Sequence, residues 1–213
     1  MAMLDLFFEE RGEQPLKKAE AGAKEIRQSF YAQMLPAAEP ADVAKILAER
    51  HYVVLQGPPG TGKTRMALEL LDEVYAGRGR SIQFHPNTTY EDFIGGLAPV
   101  EADAGMGFRF APKMGALMRA AQSARAHPDR PYLLHIDELN RADLAKVLGE
   151  AVFLLEYRRD RAVSIELPYD FGGEVGSQFS LPENLHILGT MNTSDRSIAI
   201  LDVAIRRRFA FEA

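Results

Sequence analysis

The stretch that most constrains this chain is Gly57-Pro58-Pro59-Gly60-Thr61-Gly62-Lys63-Thr64, which fits the pattern G-x-x-x-x-G-K-[ST]. Just before it, Tyr52-Val53-Val54-Leu55 is a short apolar, β-branched run, as a buried parallel strand should be. Just after it, Met66, Leu68, Leu70, Leu71 and Val74 recur at helical spacing among polar residues. Strand, glycine loop and helix together make a phosphate cradle. Glycines let backbone N–H groups curl round a phosphate with no Cβ in the way, and the helix N-terminus adds its dipole. In this frame Lys63 neutralises the β- and γ-oxygens of a nucleoside triphosphate, and the Thr64 hydroxyl ligates Mg²⁺. Gly57 to Thr64, with Arg65 beside them, are the candidate nucleotide-binding positions.

Composition narrows the class. A chain of 213 residues suits one large α/β domain, or one domain with a short appendage. Its net charge of −5 gives no whole-chain electrostatic case for nucleic acid or an anionic membrane. With no cysteine there are no disulfides or thiolate metal sites. The histidines (His51, His85, His127, His135, His186) lack paired ligand spacing. No apolar run approaches the ~20 residues of a membrane helix. The N-terminus carries Asp5, Glu9 and Glu10 instead of a basic signal-peptide start. The default expectation is a soluble, cytoplasmic protein.

Along the chain, residues 1–40 read as an N-terminal helical arm, with Ile26, Phe30 and Met34 at i, i+4 and i+8 before Pro36 and Pro40 break the pattern. The core is expected over 41–213. A helix opens near Pro40 with Asp42 as its N-cap and runs to about Arg50. A second strand is expected at Ser81–His85, a short helix ended by Gly95-Gly96, and a loop-like stretch over 97–112 in which Gly107–Phe110 alternates as a hairpin strand. Further helices are expected at about 115–126, 142–156 and 202–208. Further strands are expected at 132–138, at Ser164–Leu167 as a hairpin edge, at 186–190 and at 209–211. Alternating strands and helices indicate an α/β fold with a parallel sheet covered on both faces.

Nucleotide sites in such sheets lie at the C-terminal ends of the strands. Asp137 and Glu138 end an apolar strand there, one suited to hold Mg²⁺, the other to act as general base on water. Asn192, after the 186–190 strand, offers a neutral amide to the γ-phosphate or the lytic water, although Asn-Thr-Ser-Asp also reads as a capped turn. Arg206-Arg207-Arg208 is the densest basic cluster. Arginine suits the charge spread over a transferred phosphoryl group, but a helix cannot aim three consecutive residues at one point. A solvated face is the other reading of that cluster.

Together these stations resemble an AAA+ nucleoside triphosphatase. The run Met191-Asn192-Thr193-Ser194-Asp195-Arg196-Ser197 resembles the M-N-T-A-D-R-S signature of the McrB branch, the motor subunit of modification-dependent restriction, with Ser194 in place of the usual alanine. Tyr90–Ile94, Asp137–Arg141, Leu181–Leu185, Gly189-Thr190 and Asp202–Phe209 also look like that branch. The resemblance covers about residues 42–211.

It implies a three-layer αβα core, the AAA+ large subdomain. Lys63 and Thr64 become Walker A, Asp137 and Glu138 Walker B, and Asn192 sensor 1. An arginine finger within Arg206–Arg208 acts on the neighbouring subunit's nucleotide, with Asp195, Arg196 and Arg141 organising the interface. A homo-oligomeric ring, usually a hexamer, follows from that arrangement. The hairpins near Phe108 and Ser164 resemble inserts on the pore or partner side. Such modules usually continue into a helical lid, expected to be absent from this sequence. They usually carry an N-terminal DNA-reading domain, which an arm of about 40 residues cannot be, so any DNA specificity is expected in a partner.

The leading expectation is a Mg²⁺-dependent NTPase driving a McrC-like nuclease, with DNA contacted through the partner. A MoxR-like remodeller and a nucleotide-gated scaffold with little turnover are the alternatives. The McrB resemblance argues for GTP and the wider class for ATP. The chain contains no N-K-x-D guanine-reading sequence, on which the branch does not rely, and both nucleotides stay open.

Overall fold

Helix α1 (Pro40–Arg50) leads into strand β1 (Tyr52–Gly57), and the glycine loop then delivers the chain into α2 (Lys63–Glu69), extended by a π-helical stretch at Leu70–Val74. The computed structural model describes residues 39–101, 107–156, 163–173, 175–193 and 203–212. The expected N-terminal arm, apart from Glu39 and Pro40, lies outside these residues, as do Asp195 and Arg196.

After β2 (Gly79–Gln83) and the short α3 (Tyr90–Phe93) come β3 (Gly95–Glu101), β4 (Phe108–Met114), α4 (Ala116–Arg125) and β5 (Tyr132–Asp137). A 3₁₀ turn at Leu139–Arg141, α5 (Leu144–Leu148) and a 3₁₀ stretch at Gly149–Leu155 follow. The chain then forms β6 (Ser164–Glu166), β7 (Gln178–Ser180), β8 (Leu185–Asn192), α6 (Val203–Arg206) and β9 (Ala210–Glu212).

Five strands make one sheet in the order β2-β5-β8-β1-β9, and every pairing in it is parallel. Its central strands bury both faces, which explains their nearly unbroken apolar sequence. Tyr52, Val54, Leu134, Ile136, Leu185 and Ile187 point into a core shared with α4 and α5. The alternate residues Val53, Leu55, Leu133 and Leu188 are equally buried on the other face. There α1 and α2 pack on β1 and β8, bringing in Val43, Leu47, Ala67 and Leu70. The result is helix, sheet, helix: the three-layer αβα arrangement expected. Each fully buried Leu or Val in these layers contributes about 1.5–3 kcal/mol relative to exposure.

Several local expectations need correction. Asp42 does not cap α1; Glu39 takes the N-cap position without a side-chain bond, and Asp42 sits in the first turn. The second strand begins at Gly79, two residues before the apolar signal. Gly95 and Gly96 do not merely end α3, because Thr89 and Asp92 form a capping box for its start and the glycines open β3. That strand pairs antiparallel with β4, from Gly95 opposite Met114 to Glu101 opposite Phe108, so most of the stretch read as loop is hairpin. The long helix expected over 142–156 breaks at Gly149, whose φ of +50° is left-handed and which ends α5. The hairpin edge at Ser164 is present and pairs with β7.

Candidate nucleotide site

At the C-terminal ends of β1, β5 and β8 a cleft of about 340 Å³ opens, lined by P-loop residues together with Asp137, Glu138, Thr190 and Asn192. The parallel register explains why they meet. Gly57 lies opposite Asn192 across β1 and β8, and Ile136 lies opposite Gly189 across β5 and β8, so the ends of three strands arrive at one level. A further tie is the Thr193 N–H, which donates to the Gly57 carbonyl at 3.1 Å.

In the loop itself Gly60 and Gly62 take φ of +80° and +86°, which only glycine adopts without strain. Gly62 stands at the N-cap of α2. Pro58, Pro59 and Thr61 complete the curve, and the Thr61 hydroxyl donates to the Pro58 carbonyl at 3.0 Å. The Lys63 ammonium turns onto the same loop, donating to the carbonyls of Gly57 (3.0 Å) and Pro58 (2.8 Å) and to the Thr61 hydroxyl (3.2 Å). Partial burial holds Lys63 below the usual lysine range, a shift opposed by the Asp137 carboxylate. Arg65 lines the exposed edge of the cleft and pairs with Glu69 at 2.7 Å along α2.

The Thr64 hydroxyl donates to Asp137 Oδ1 at 2.9 Å, joining α2 to the end of β5. Oxygen ligands from one hydroxyl and one carboxylate beside a phosphate cradle suit Mg²⁺, which takes few protein ligands and keeps waters and phosphate oxygens for the rest. Among the described residues no cluster of three His, Cys, Asp or Glu is arranged to hold a metal by itself. Of the histidines, His135 hydrogen-bonds Ser81 and His186 hydrogen-bonds Tyr75.

Glu138 leaves the strand with φ 54° and ψ 45°, a left-handed conformation that a non-glycine residue adopts only when its surroundings hold it there. Its carboxylate pairs with Arg141 in the turn that follows. Asn192 lines the cleft, and its carbonyl accepts from the buried Asn140 side chain at 3.1 Å. Two participants escape a reading of residue types alone: Asn140, and Thr190, whose hydroxyl reaches Asp137 and Glu138 together. The available signals for Thr190 were the branch-like pair Gly189-Thr190 and a hydroxyl within a mostly apolar strand, two residues before Asn192.

The arginine cluster splits three ways. Arg206 lies over the Phe211 ring at 5.6 Å. Arg208 binds Glu156 at 2.9 Å and the Ala204 carbonyl at 2.7 Å, and lies over Phe153. The Arg207 side chain is exposed and, among the described residues, makes no hydrogen bond or ion pair, while its N–H donates to the Val203 carbonyl at 3.1 Å. With Arg50 and Arg208 it lines a second depression of about 440 Å³, none of whose lining residues belongs to the P-loop cleft.

Residues 52–209 match the AAA domain family, dynein-related subfamily. The chain is similar to the EcoKMcrB subunit of a type IV methyl-directed restriction enzyme from Escherichia coli K12, 42% identical over 79% of this chain and 36% of that protein. It is also similar to the YdiS component of the type II restriction enzyme BsuMI from Bacillus subtilis 168, 27% identical over 75% of this chain and 55% of that protein. It thus spans about half or less of the length of these relatives. A solved chain from Cytophaga hutchinsonii overlays 94% of this chain and 56% of its own at a TM-score of 0.46 and 18% identity, too loose a likeness to bear on the argument. Among the described residues no helix is long and apolar enough to cross a membrane. The chain belongs to the AAA domain family, in its dynein-related subfamily, and resembles the McrB-like branch of AAA+ NTPases.

Proposed function

We propose that this chain is a Mg²⁺-dependent nucleoside triphosphatase that works in an oligomeric ring as the motor of a McrBC-like restriction system. The observation that carries the reading is the Thr64–Asp137 hydrogen bond beside a glycine cradle, with Glu138 next in sequence. Backbone N–H groups and Lys63 bind the β- and γ-phosphates. Thr64 and Asp137 would hold Mg²⁺, which neutralises charge on those phosphates when bound. Glu138 accepts a proton from the attacking water, and the Asn192 amide orients the water or the γ-phosphate.

The arginine finger is best read as Arg207. Arg208 is engaged by Glu156 and Arg206 lies over Phe211, so the exposed Arg207 guanidinium is the one best able to reach a neighbour's nucleotide. The restriction context rests on the McrB-like relative and on the Met191–Ser197 run. It makes a McrC-like nuclease the expected partner, with DNA contacted through it.

The test is phosphate release with Mg²⁺ and either ATP or GTP, for the native chain and Glu138→Gln. Turnover that falls about 10²–10⁴-fold in the variant, with nucleotide affinity retained, is expected. No release with either nucleotide, at concentrations that allow assembly, would contradict the reading and favour a nucleotide-gated scaffold. A strong preference for ATP would point towards a general remodeller, whereas GTP preference would support the restriction motor.

A further inference from the structure

We propose that Thr190 is a positioning residue for both acids of the site: its hydroxyl, and not its packing, sets the Asp137 carboxylate and the Glu138 backbone. This rests on the hydrolase reading above. Thr190 sits near the C-terminal end of β8, 2% exposed, directly after the apolar run Ile187-Leu188-Gly189. A hydroxyl buried in such a strand is costly unless it is satisfied, and a valine would fill the same space without that cost.

Both capacities of this hydroxyl are used at the site. The Glu138 N–H donates to it at 3.3 Å. Its single proton is therefore available to Asp137, and it donates to Oδ1 of that carboxylate. Thr64 donates to the same Oδ1 from the opposite side of the cleft. Two hydroxyls from two different elements thus fix the carboxylate plane. Oδ2, which receives no hydrogen bond from the described residues, is left for a cation or its water shell. The amide bond acts at the point where Glu138 turns into its left-handed conformation, which determines where the general-base side chain leaves the backbone. One oxygen on β8 thus couples metal holding to water activation. Asn192 lies two residues further along the same strand, so the three functions share one rigid support.

The test compares native chain, Thr190→Val and Thr190→Ser by two readouts: affinity for a fluorescent nucleoside triphosphate with and without Mg²⁺, and kcat and KM for phosphate release. In Thr190→Val, Mg²⁺-free affinity should stay within about twofold, while the Mg²⁺-dependent gain shrinks about tenfold and kcat falls about 10–100-fold, with KM changing less. Thr190→Ser keeps the hydroxyl and should restore both to within about threefold of native. A valine variant equal to native in both readouts, or a serine variant as impaired as valine, would overturn the inference.

Should Thr190→Val fail to fold, Thr190→Ala carries the same expectation; if neither folds, the role is one of fold stability and the inference falls. If the native chain releases no phosphate, the hydrolase reading fails separately, and the Mg²⁺ arm still decides. A native gain that valine diminishes supports the positioning role, and no native gain, or an equal one, overturns it.

Discussion

The P-loop cleft and the arginine ridge are both polar, yet they are built in opposite ways. In the cleft, side chains converge: Thr64, Thr190 and the Glu138 amide meet within hydrogen-bond reach of one carboxylate or of one another. On the ridge they diverge, each arginine taking a different partner or none. Convergence marks a site that this chain assembles within itself. Divergence leaves the Arg207 guanidinium exposed, as its proposed role on a neighbouring subunit's nucleotide requires. On the proposed reading, the difference separates a part of the catalytic apparatus built within one subunit from a part offered to a neighbour.

The largest effect expected on breaking this contrast is in Arg207→Ala. If the ridge supplies the finger, turnover should fall about 10³-fold or more, while nucleotide affinity, a property of the cleft, changes little. Steady-state phosphate release and equilibrium nucleotide binding on the same preparation separate the two.

A smaller effect, confined to folding, is expected at the other end of β8. His186 is buried against Tyr75 and His51, and burial, helped by the neighbouring imidazole, lowers its pKa from 6.5 to about 4. Because the folded-state value lies below the unfolded one, the folded chain keeps this ring neutral where the unfolded chain protonates it. Its contribution is full above about pH 6.5 and is lost as pH falls through about 4, on the order of 3 kcal/mol in all. Burial lowers His135 in the same direction. Urea midpoints followed from pH 7 down to pH 4 should fall, and His186→Asn, which keeps a hydrogen-bonding group but does not titrate, should flatten part of that slope.

The smallest effect concerns Arg208→Ala. Removing the partner of Glu156 should cost about 1–2 kcal/mol of stability, towards the low end because the carboxylate is partly exposed. Thermal unfolding should detect this, and a catalytic loss as deep as that of Arg207→Ala would reverse the assignment of roles on the ridge.

How much of this was legible in the sequence follows the range of the interactions. The P-loop was readable because strand, glycines and helix are consecutive, and each residue type is dictated by local backbone geometry. The parallel sheet was readable because Val53–Leu55, Leu133-Leu134 with Ile136, and Ile187-Leu188 are buried on both faces and so are apolar. Strand β3 was not, since Gly95, Gly96 and Pro99 look like breakers; in a two-stranded hairpin no third strand needs the missing donor. The break at Gly149 hid inside a good helical pattern, where one left-handed residue outweighs propensity. The Thr190 and Arg208 contacts span about fifty residues of sequence. No spacing rule reveals which oxygen a distant hydroxyl will meet, or which of three adjacent arginines a distant glutamate will capture.

The most direct test of the shared-site account is to mix Glu138→Gln with Arg207→Ala, each nearly inactive alone, and measure phosphate release. If the finger acts across the interface, a site with native Glu138 can receive Arg207 from the Glu138→Gln subunit, and mixing should restore a substantial fraction of native turnover. Mixed assemblies that form but stay as inactive as either parent would contradict it, placing the arginine and the general base at work within one and the same subunit.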